Sequence, residues 1–148
     1  LKYVSESGCS SALGKQGGEQ KISIGDGCAF TGVVLHETFH ALGIAHTQSR
    51  HDRDSYITII KENIESGAES GFDKYISTLN NNFGLPYDFG SIMHYETNSF
   101  SKNPALSTIA LKPQYERYKY ALGNSRYMTF NDLKLLNSLY QCNISKSL

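Results

Sequence analysis

The chain has 148 residues, with 14 basic and 14 acidic side chains and therefore no formal net charge. This length is typical of one domain with a sizeable core. Because the charges balance, neither nucleic acid nor an anionic membrane surface is expected as the main partner. No stretch approaches the roughly 18 consecutive apolar residues that cross a bilayer, so no membrane span is predicted.

The first predicted elements are strands. Leu1 to Val4 has the character of the middle of a strand and lacks the basic head and long apolar run of a signal peptide. We therefore expect the sequence to begin inside a domain. Lys21–Ile24 alternates polar and apolar residues, which predicts a short strand.

The chain has three cysteines, an odd number, so one disulfide in an oxidised protein would leave one cysteine over. Cys9 and Cys28 enclose a glycine-rich loop whose closure by a disulfide would contribute about 3 kcal/mol. Cys142 is then a free thiol, part of an intermolecular bridge, or a residue whose partner is missing, and we favour the missing partner. The disulfide and the glycosylation sequon Asn143-Ile144-Ser145 predict a secreted, extracellular protein.

A buried helix is predicted from Phe30 to Leu42, where apolar residues cover most sides. It carries His36, Glu37 and His40 in the pattern His-Glu-x-x-His-x-x-Gly-x-x-His, which Gly43 and His46 complete. Two histidines four residues apart lie on one helix face and can reach one zinc ion, and a left-handed glycine after the helix allows the third to join them.

The zinc interpretation has a simple alternative, a helix that carries histidines by accident. At this composition a bare His-Glu-x-x-His occurs by chance in about one such chain in a hundred, and the added Gly43 and His46 multiply that by about 0.003. We therefore predict one Zn²⁺ per chain. Three protein ligands leave a position for water, as in catalytic sites, and Glu37 can take the proton of that water.

After residue 46 the sequence predicts secondary structure less clearly. Tyr56 to Ile60 is β-branched and is a strand candidate or an extended segment, and Phe72 to Leu79 has a weak helical pattern. Thr129, with Asp132 three residues on, predicts the capped start of a terminal helix that packs in the core.

The motif continues as Thr47 to Asp54 and is followed farther on by Ser91-Ile92-Met93-His94-Tyr95. Together these segments resemble the astacin family of zinc endopeptidases, within the metzincin group, and the resemblance runs from Tyr3 to Cys142. It implies an α+β fold, a metzincin-type zincin catalytic domain with two subdomains flanking an active-site cleft and an incomplete N-terminal subdomain. Residues 1–46 would be the end of the N-terminal subdomain with the active-site helix. Residues 47–148 would be the C-terminal subdomain with the Met-turn and the terminal helix.

The resemblance also implies roles for single residues. The three histidines would bind zinc, and Glu37 would be the general base and acid. Met93 would form the apolar floor of the Met-turn, and Tyr95 would be an extra zinc ligand that swings off to stabilise the tetrahedral intermediate. Residues 50–54 resemble a charged extension that locks the start of the second subdomain, although without the family context a solvated charge cluster is the simpler interpretation.

Two features depart from the family pattern. Astacins usually have a glutamate directly after the third histidine, where it anchors the mature N-terminal amine, and here that residue is Thr47. This activation lock is therefore expected to be absent or altered. Catalytic domains of the family are also longer, and the missing N-terminal stretch is expected to hold the partner of Cys142.

The predicted function is that of a secreted zinc-dependent endopeptidase, in which a zinc-activated water attacks a protein or peptide substrate and Glu37 is the general base. The alternative is a catalytically impaired zinc-binding module that acts as a binding or decoy protein. Glu37 favours the enzyme, because zinc binding alone needs no base, whereas Thr47 leaves room for the alternative. A serralysin-like protease is a third possibility, and the cysteines and residues 50–54 argue against it.

Overall fold

A computed structural model describes residues 1–142, which form two compact units. Residues 1–45 and 125–142 make up the first unit, and residues 46–124 make up the second. Packing thus groups the end of the chain with its beginning, and the predicted division into subdomains 1–46 and 47–148 stays a prediction. The sequon at residues 143–145 lies outside the described residues.

The first unit contains a three-stranded sheet with the strand order β1-β3-β2. Its strands are β1 (Lys2–Val4), β2 (Cys9–Ser11) and β3 (Lys21–Ile24). The central strand β3 pairs in parallel with β1 and antiparallel with β2. The strand predicted at Lys21–Ile24 is confirmed, and so is the strand character of the first residues.

Helix α1 (Thr31–Ala41) contacts strands β2 and β3. It ends in a Schellman motif, in which the Gly43 N–H donates to the His40 carbonyl and the Ile44 N–H donates to the Phe39 carbonyl, both at 2.9 Å. Gly43 has a φ of 95°, in the left-handed region that a residue with a side chain rarely adopts. The predicted helix and its glycine stop are confirmed.

Helix α2 (Phe130–Leu139) begins with the predicted capping box. The Asp132 N–H donates to the Thr129 hydroxyl at 3.1 Å, and the Thr129 N–H donates to the Asp132 carboxylate at 2.9 Å. The expected core packing is only partly found, because Leu133 and Leu139 are exposed. The Tyr140 hydroxyl, just past the helix, donates to the Leu42 carbonyl at the end of α1.

One disulfide joins Cys9 in β2 to Cys28, so the predicted bridge is present. Cys142 is an exposed free thiol, and its pairing with a cysteine outside this chain stays a prediction. Within residues 1–142, none of the helices has the length and apolar character needed to cross a membrane.

The second unit contains a two-stranded antiparallel sheet of β4 (Ile57–Ile59) and β5 (Ile109–Leu111), and β4 confirms the strand candidate. Its buried core consists of Ile57, Ile64, Phe72, Tyr87, Phe89 and Ile109. Short 3-10 helices occupy Thr47–Ser49, Arg53–Ser55, Lys61–Asn63, Glu69–Phe72 and Pro113–Ala121.

The weak helical pattern from Phe72 to Leu79 is wrong as a helix prediction. The chain turns extended at Asp73, with φ −68° and ψ 142°. Phe72 is buried in the core, and the Tyr75 N–H donates to the Ser49 carbonyl at 2.9 Å. These contacts with distant residues override a weak local preference.

Candidate active site

Helix α1 holds two of the three predicted ligands. His36 and His40 are four residues apart and lie one helical turn from each other, with ring centroids 4.6 Å apart and ring planes nearly perpendicular. Both side chains are half-buried. The helix therefore presents two imidazoles on one face.

The turn at Gly43 brings His46 to the other two histidines. One ligand nitrogen from each of His36, His40 and His46 can be chosen so that all three lie within 4.8 Å of one another. This spacing allows them to coordinate a single ion, and a set of three imidazoles suits Zn²⁺. The donor set fits the predicted metal.

The tautomer of His40 follows from its hydrogen bond. Its Nδ1 lies 2.9 Å from the Ile44 carbonyl oxygen, which can only accept, so Nδ1 carries the proton and Nε2 is left for a metal. Burial, and then the charge of nearby His36, lowers the pKa of His40 to about 4. A neutral imidazole is the form that binds a metal ion.

Glu37 follows the first ligand in α1 and is 7% exposed. Burial raises the pKa of its carboxyl group, and the charge of His36 opposes that rise. A carboxylate with a raised pKa is a better proton acceptor near neutral pH than an ordinary glutamate. Its place and its environment suit a general base.

Tyr95 lies in the second unit beside His46, with ring centroids 4.5 Å apart. Its ring also contacts Phe72 and Phe100, at 5.6 and 5.3 Å between centroids. Burial raises the pKa of its phenol, so the hydroxyl stays protonated at neutral pH. Met93, two residues earlier, is completely buried, as an apolar floor requires.

Most of the charged side chains in segment 50–54 are hydrogen-bonded within the second unit. Arg50 binds both oxygens of Asp52, at 2.9 and 2.8 Å, and donates to the carbonyls of Leu85 and Pro86. Arg53 is buried, which contradicts the interpretation of the segment as a solvated charge cluster. Charges in this segment therefore fix the fold of the second unit.

Arg53 holds two distant stretches of backbone together. Its guanidinium donates to the Gln48 carbonyl at 2.9 Å and to the Phe72 carbonyl, and its Nε donates to the Asp54 carboxylate at 3.0 Å. Planar donors of this kind can satisfy several buried acceptors at once.

Composition and motif do not predict that His94, next to Tyr95, is buried and hydrogen-bonded. The Tyr87 hydroxyl donates to its Nε2, and its Nδ1 donates to the Tyr95 carbonyl, each at 2.8 Å. Burial lowers the pKa of His94 to about 4, so the ring is neutral and accepts and donates one hydrogen bond each. No periodic pattern marks such a pair.

Fold and site together define a metzincin-type metalloproteinase domain. The chain matches the family model described as Astacin (Peptidase family M12A) over residues 1–141, and it belongs to the astacin family. His36, His40 and His46 are the zinc-binding triad of this family in the chain. The predicted α+β, metzincin-type fold is confirmed, and the match decides against the serralysin-like alternative.

Individual relatives agree with the family match. Zinc metalloproteinase nas-37 of Caenorhabditis elegans is 42% identical over 144 residues, which are 97% of this chain and 19% of that protein. Blastula protease 10 of Paracentrotus lividus is 41% identical over 143 residues, which are 96% of this chain and 24% of that protein. The chain thus spans less than a third of the length of these curated relatives.

Solved structures are similar to the chain as well. High choriolytic enzyme 1, a hatching enzyme zinc-protease from the medaka fish Oryzias latipes, superimposes with a TM-score of 0.87 at 40% identity, over 95% of this chain and 68% of that one. Myroilysin superimposes with a TM-score of 0.63 at 20% identity, over 96% of this chain and 72% of that one, which is a likeness of fold alone.

Proposed function

We propose that the protein is a zinc-dependent endopeptidase that hydrolyses peptide bonds in protein or peptide substrates. The observation that carries the proposal is the convergence of three histidine ligands with a buried glutamate inside the single segment 36–46. Zinc, when bound there, supplies a Lewis acid that polarises the scissile carbonyl and makes water a better nucleophile at neutral pH.

Glu37 is the general base of the proposed reaction. Its carboxylate accepts a proton from the attacking water and later delivers that proton to the leaving amine. The raised pKa of this buried group suits both steps, because it must bind the proton and then release it. Binding a metal would not require a carboxylate at this place.

Tyr95 is the second catalytic residue of the proposal. Its protonated phenol donates a hydrogen bond to the oxygen of the scissile carbonyl as negative charge develops there. The fully buried Met93 supports the adjoining backbone. Tyr95 and Met93 both lie outside the motif 36–46.

An extracellular location completes the proposal. The Cys9–Cys28 disulfide requires an oxidising compartment, and homologues in the astacin family are typically secreted.

A cleavage assay on an unstructured protein substrate tests the function with two matched variants. Glu37→Gln removes the proposed base, and Glu65→Gln removes an exposed carboxylate of the same size. We expect Glu37→Gln to lower kcat/KM by about 10²- to 10⁴-fold while zinc stays bound at one ion per chain. Glu65→Gln should match the wild type, and a chelator should abolish cleavage. Equal activity of the wild type and Glu37→Gln would remove Glu37 from the mechanism.

A zinc-binding module without peptidase activity is the second candidate, favoured by Thr47 at the position after the third histidine. It predicts stoichiometric zinc in the wild type and cleavage no faster than that of Glu37→Gln. The same assay therefore separates the two functions.

A further inference from the structure

Thr47, directly after the third ligand, is buried and is 7% exposed. Its N–H belongs to the peptide group that it shares with His46, and this N–H donates to the Met93 carbonyl at 2.9 Å. The other end of the same peptide group, the His46 carbonyl, accepts from the Ser49 N–H at 3.1 Å. Because a peptide group is planar, these two bonds set the direction in which the chain leaves His46.

The side chain of Thr47 adds a second connection to the same turn. Its hydroxyl donates to the Ser91 hydroxyl oxygen at 3.0 Å, and that oxygen also accepts from the Met93 N–H at 3.1 Å. Ser91 is 2% exposed and Met93 is fully buried. Thr47 and the turn 91–93 are therefore joined by buried hydrogen bonds, and an unmade bond in such a place is costly.

Every group in this connection is neutral. Hydroxyls and backbone groups supply the donors and acceptors of these four hydrogen bonds, so the bonds need no counter-ion and no ionisation step to form. A charged side chain in the same buried place would require a partner of opposite charge.

We propose that Thr47 and Ser91 form a neutral tie that positions His46 for metal binding, with Thr47 as a positioning residue. The tie holds the peptide group after His46 against the turn that contains Met93. This inference rests on the zinc site of the proposed function. It adds the hydrogen bonds that hold the third ligand, His46, in position.

Four variants test the tie. Thr47→Val removes the hydroxyl at nearly constant shape, Thr47→Ser keeps a hydroxyl, and Ser91→Ala removes the acceptor. Thr58→Val makes the same change at an exposed position of β4 and is the matched control. The zinc dissociation constant is measured by competition with a chelator, and the visible absorption spectrum of the Co²⁺-loaded protein reports the ligand geometry.

We expect Thr47→Val and Ser91→Ala each to weaken zinc binding by about tenfold and to alter the cobalt spectrum, since partners that orient metal ligands typically contribute 10- to 100-fold to affinity. Thr47→Ser should stay within about twofold of the wild type, and the double variant Thr47→Val/Ser91→Ala should be no weaker than either single variant. Thr58→Val should bind zinc as the wild type does.

Wild-type zinc affinity and an unchanged cobalt spectrum in Thr47→Val would overturn the tie. If Thr47→Val does not fold, Ser91→Ala decides in the same way, with Thr47→Ser as the rescue. The readouts need no substrate and can be repeated in the Glu37→Gln background, so a failure of the tie is distinguishable from a failure of the proposed peptidase function.

Discussion

Tyr95 illustrates how single residues are placed in this site. Phe72 and Phe100 contact its ring, and its N–H donates to the Gln48 side-chain oxygen at 3.3 Å. A side chain at Gly71 would come to 3.5 Å from its hydroxyl, which is ordinary contact. The ring is thus fixed by aromatic neighbours, while the hydroxyl lies beside a residue that has no side chain.

Removing only that hydroxyl should affect catalysis more than folding. We expect Tyr95→Phe to lower kcat/KM by about 10²- to 10³-fold, because a donor to the developing oxyanion contributes about 2.7–4 kcal/mol. Zinc content and the melting temperature should change little, since the aromatic contacts remain. Steady-state kinetics and thermal unfolding measure both, with Tyr120→Phe, at a residue 96% exposed, as the control.

An unchanged kcat/KM in Tyr95→Phe would assign the phenol a packing role only.

Residues of the site differ in how far sequence predicts them. The three histidines and Glu37 are predictable because one helix and one glycine turn bring them together over a short stretch. The hydrogen bond between Thr47 and Ser91 joins residues 44 positions apart. The hydrogen bond between Tyr87 and His94 joins two residues in a segment without a periodic pattern. Such pairs depend on the tertiary fold, which a local pattern does not encode.

Helices and strands also differ in how well the sequence predicts them. Helices α1 and α2 are predictable because each has an end signal, Gly43 for one and the capping box at Thr129 for the other. Strands β2 and β5 are as short as β4 but lack the run of β-branched residues that marks β4 in the sequence. The false helix at residues 72–79 has no end signals of this kind and is drawn into extended structure by the core.

The ion pair between Arg50 and Asp52 predicts that the stability of the second unit depends on pH. Burial raises the pKa of Asp52, but hydrogen bonding and the charge of Arg50 outweigh it and bring the pKa below the ordinary 3.8. A carboxyl group with a lowered folded pKa stabilises the fold above its unfolded pKa, and this stability is lost as the pH falls through the folded value.

We therefore expect Asp52→Asn to lower the free energy of unfolding by about 1 kcal/mol at pH 6. The difference between wild type and variant should shrink as the pH falls below 3.8. Urea unfolding at a series of pH values measures it, with Asp26→Asn at an exposed position as the control. A difference that does not vary with pH would show that the ion pair is not its source.

The Cys9–Cys28 disulfide affects the free energy of unfolding of the whole chain. Cys9 and Cys28 are 19 positions apart, and their bridge joins the edge strand β2 to the chain just before α1. Replacing them by Ser and Ala should lower the free energy of unfolding by about 3 kcal/mol, chiefly because the unfolded chain gains freedom. For a chain of this size that corresponds to a melting temperature lower by about 6–12 °C.

Thermal unfolding of this double variant measures the effect, and Cys142→Ser, at an exposed free thiol, is the matched control. The same melting temperature in the double variant and the wild type would mean that the bridge adds nothing to the fold.

The first unit is discontinuous, since residues 46–124 separate its two stretches. A side chain at Gly32 would collide with the Ser125 carbonyl, and the end of α1 accepts the hydroxyl of Tyr140. During synthesis, α1 leaves the ribosome long before these partners exist, so the part of its surface that they cover stays exposed until residues 125–142 have been made. The helix that bears two of the ligands is therefore made early and completes its packing late.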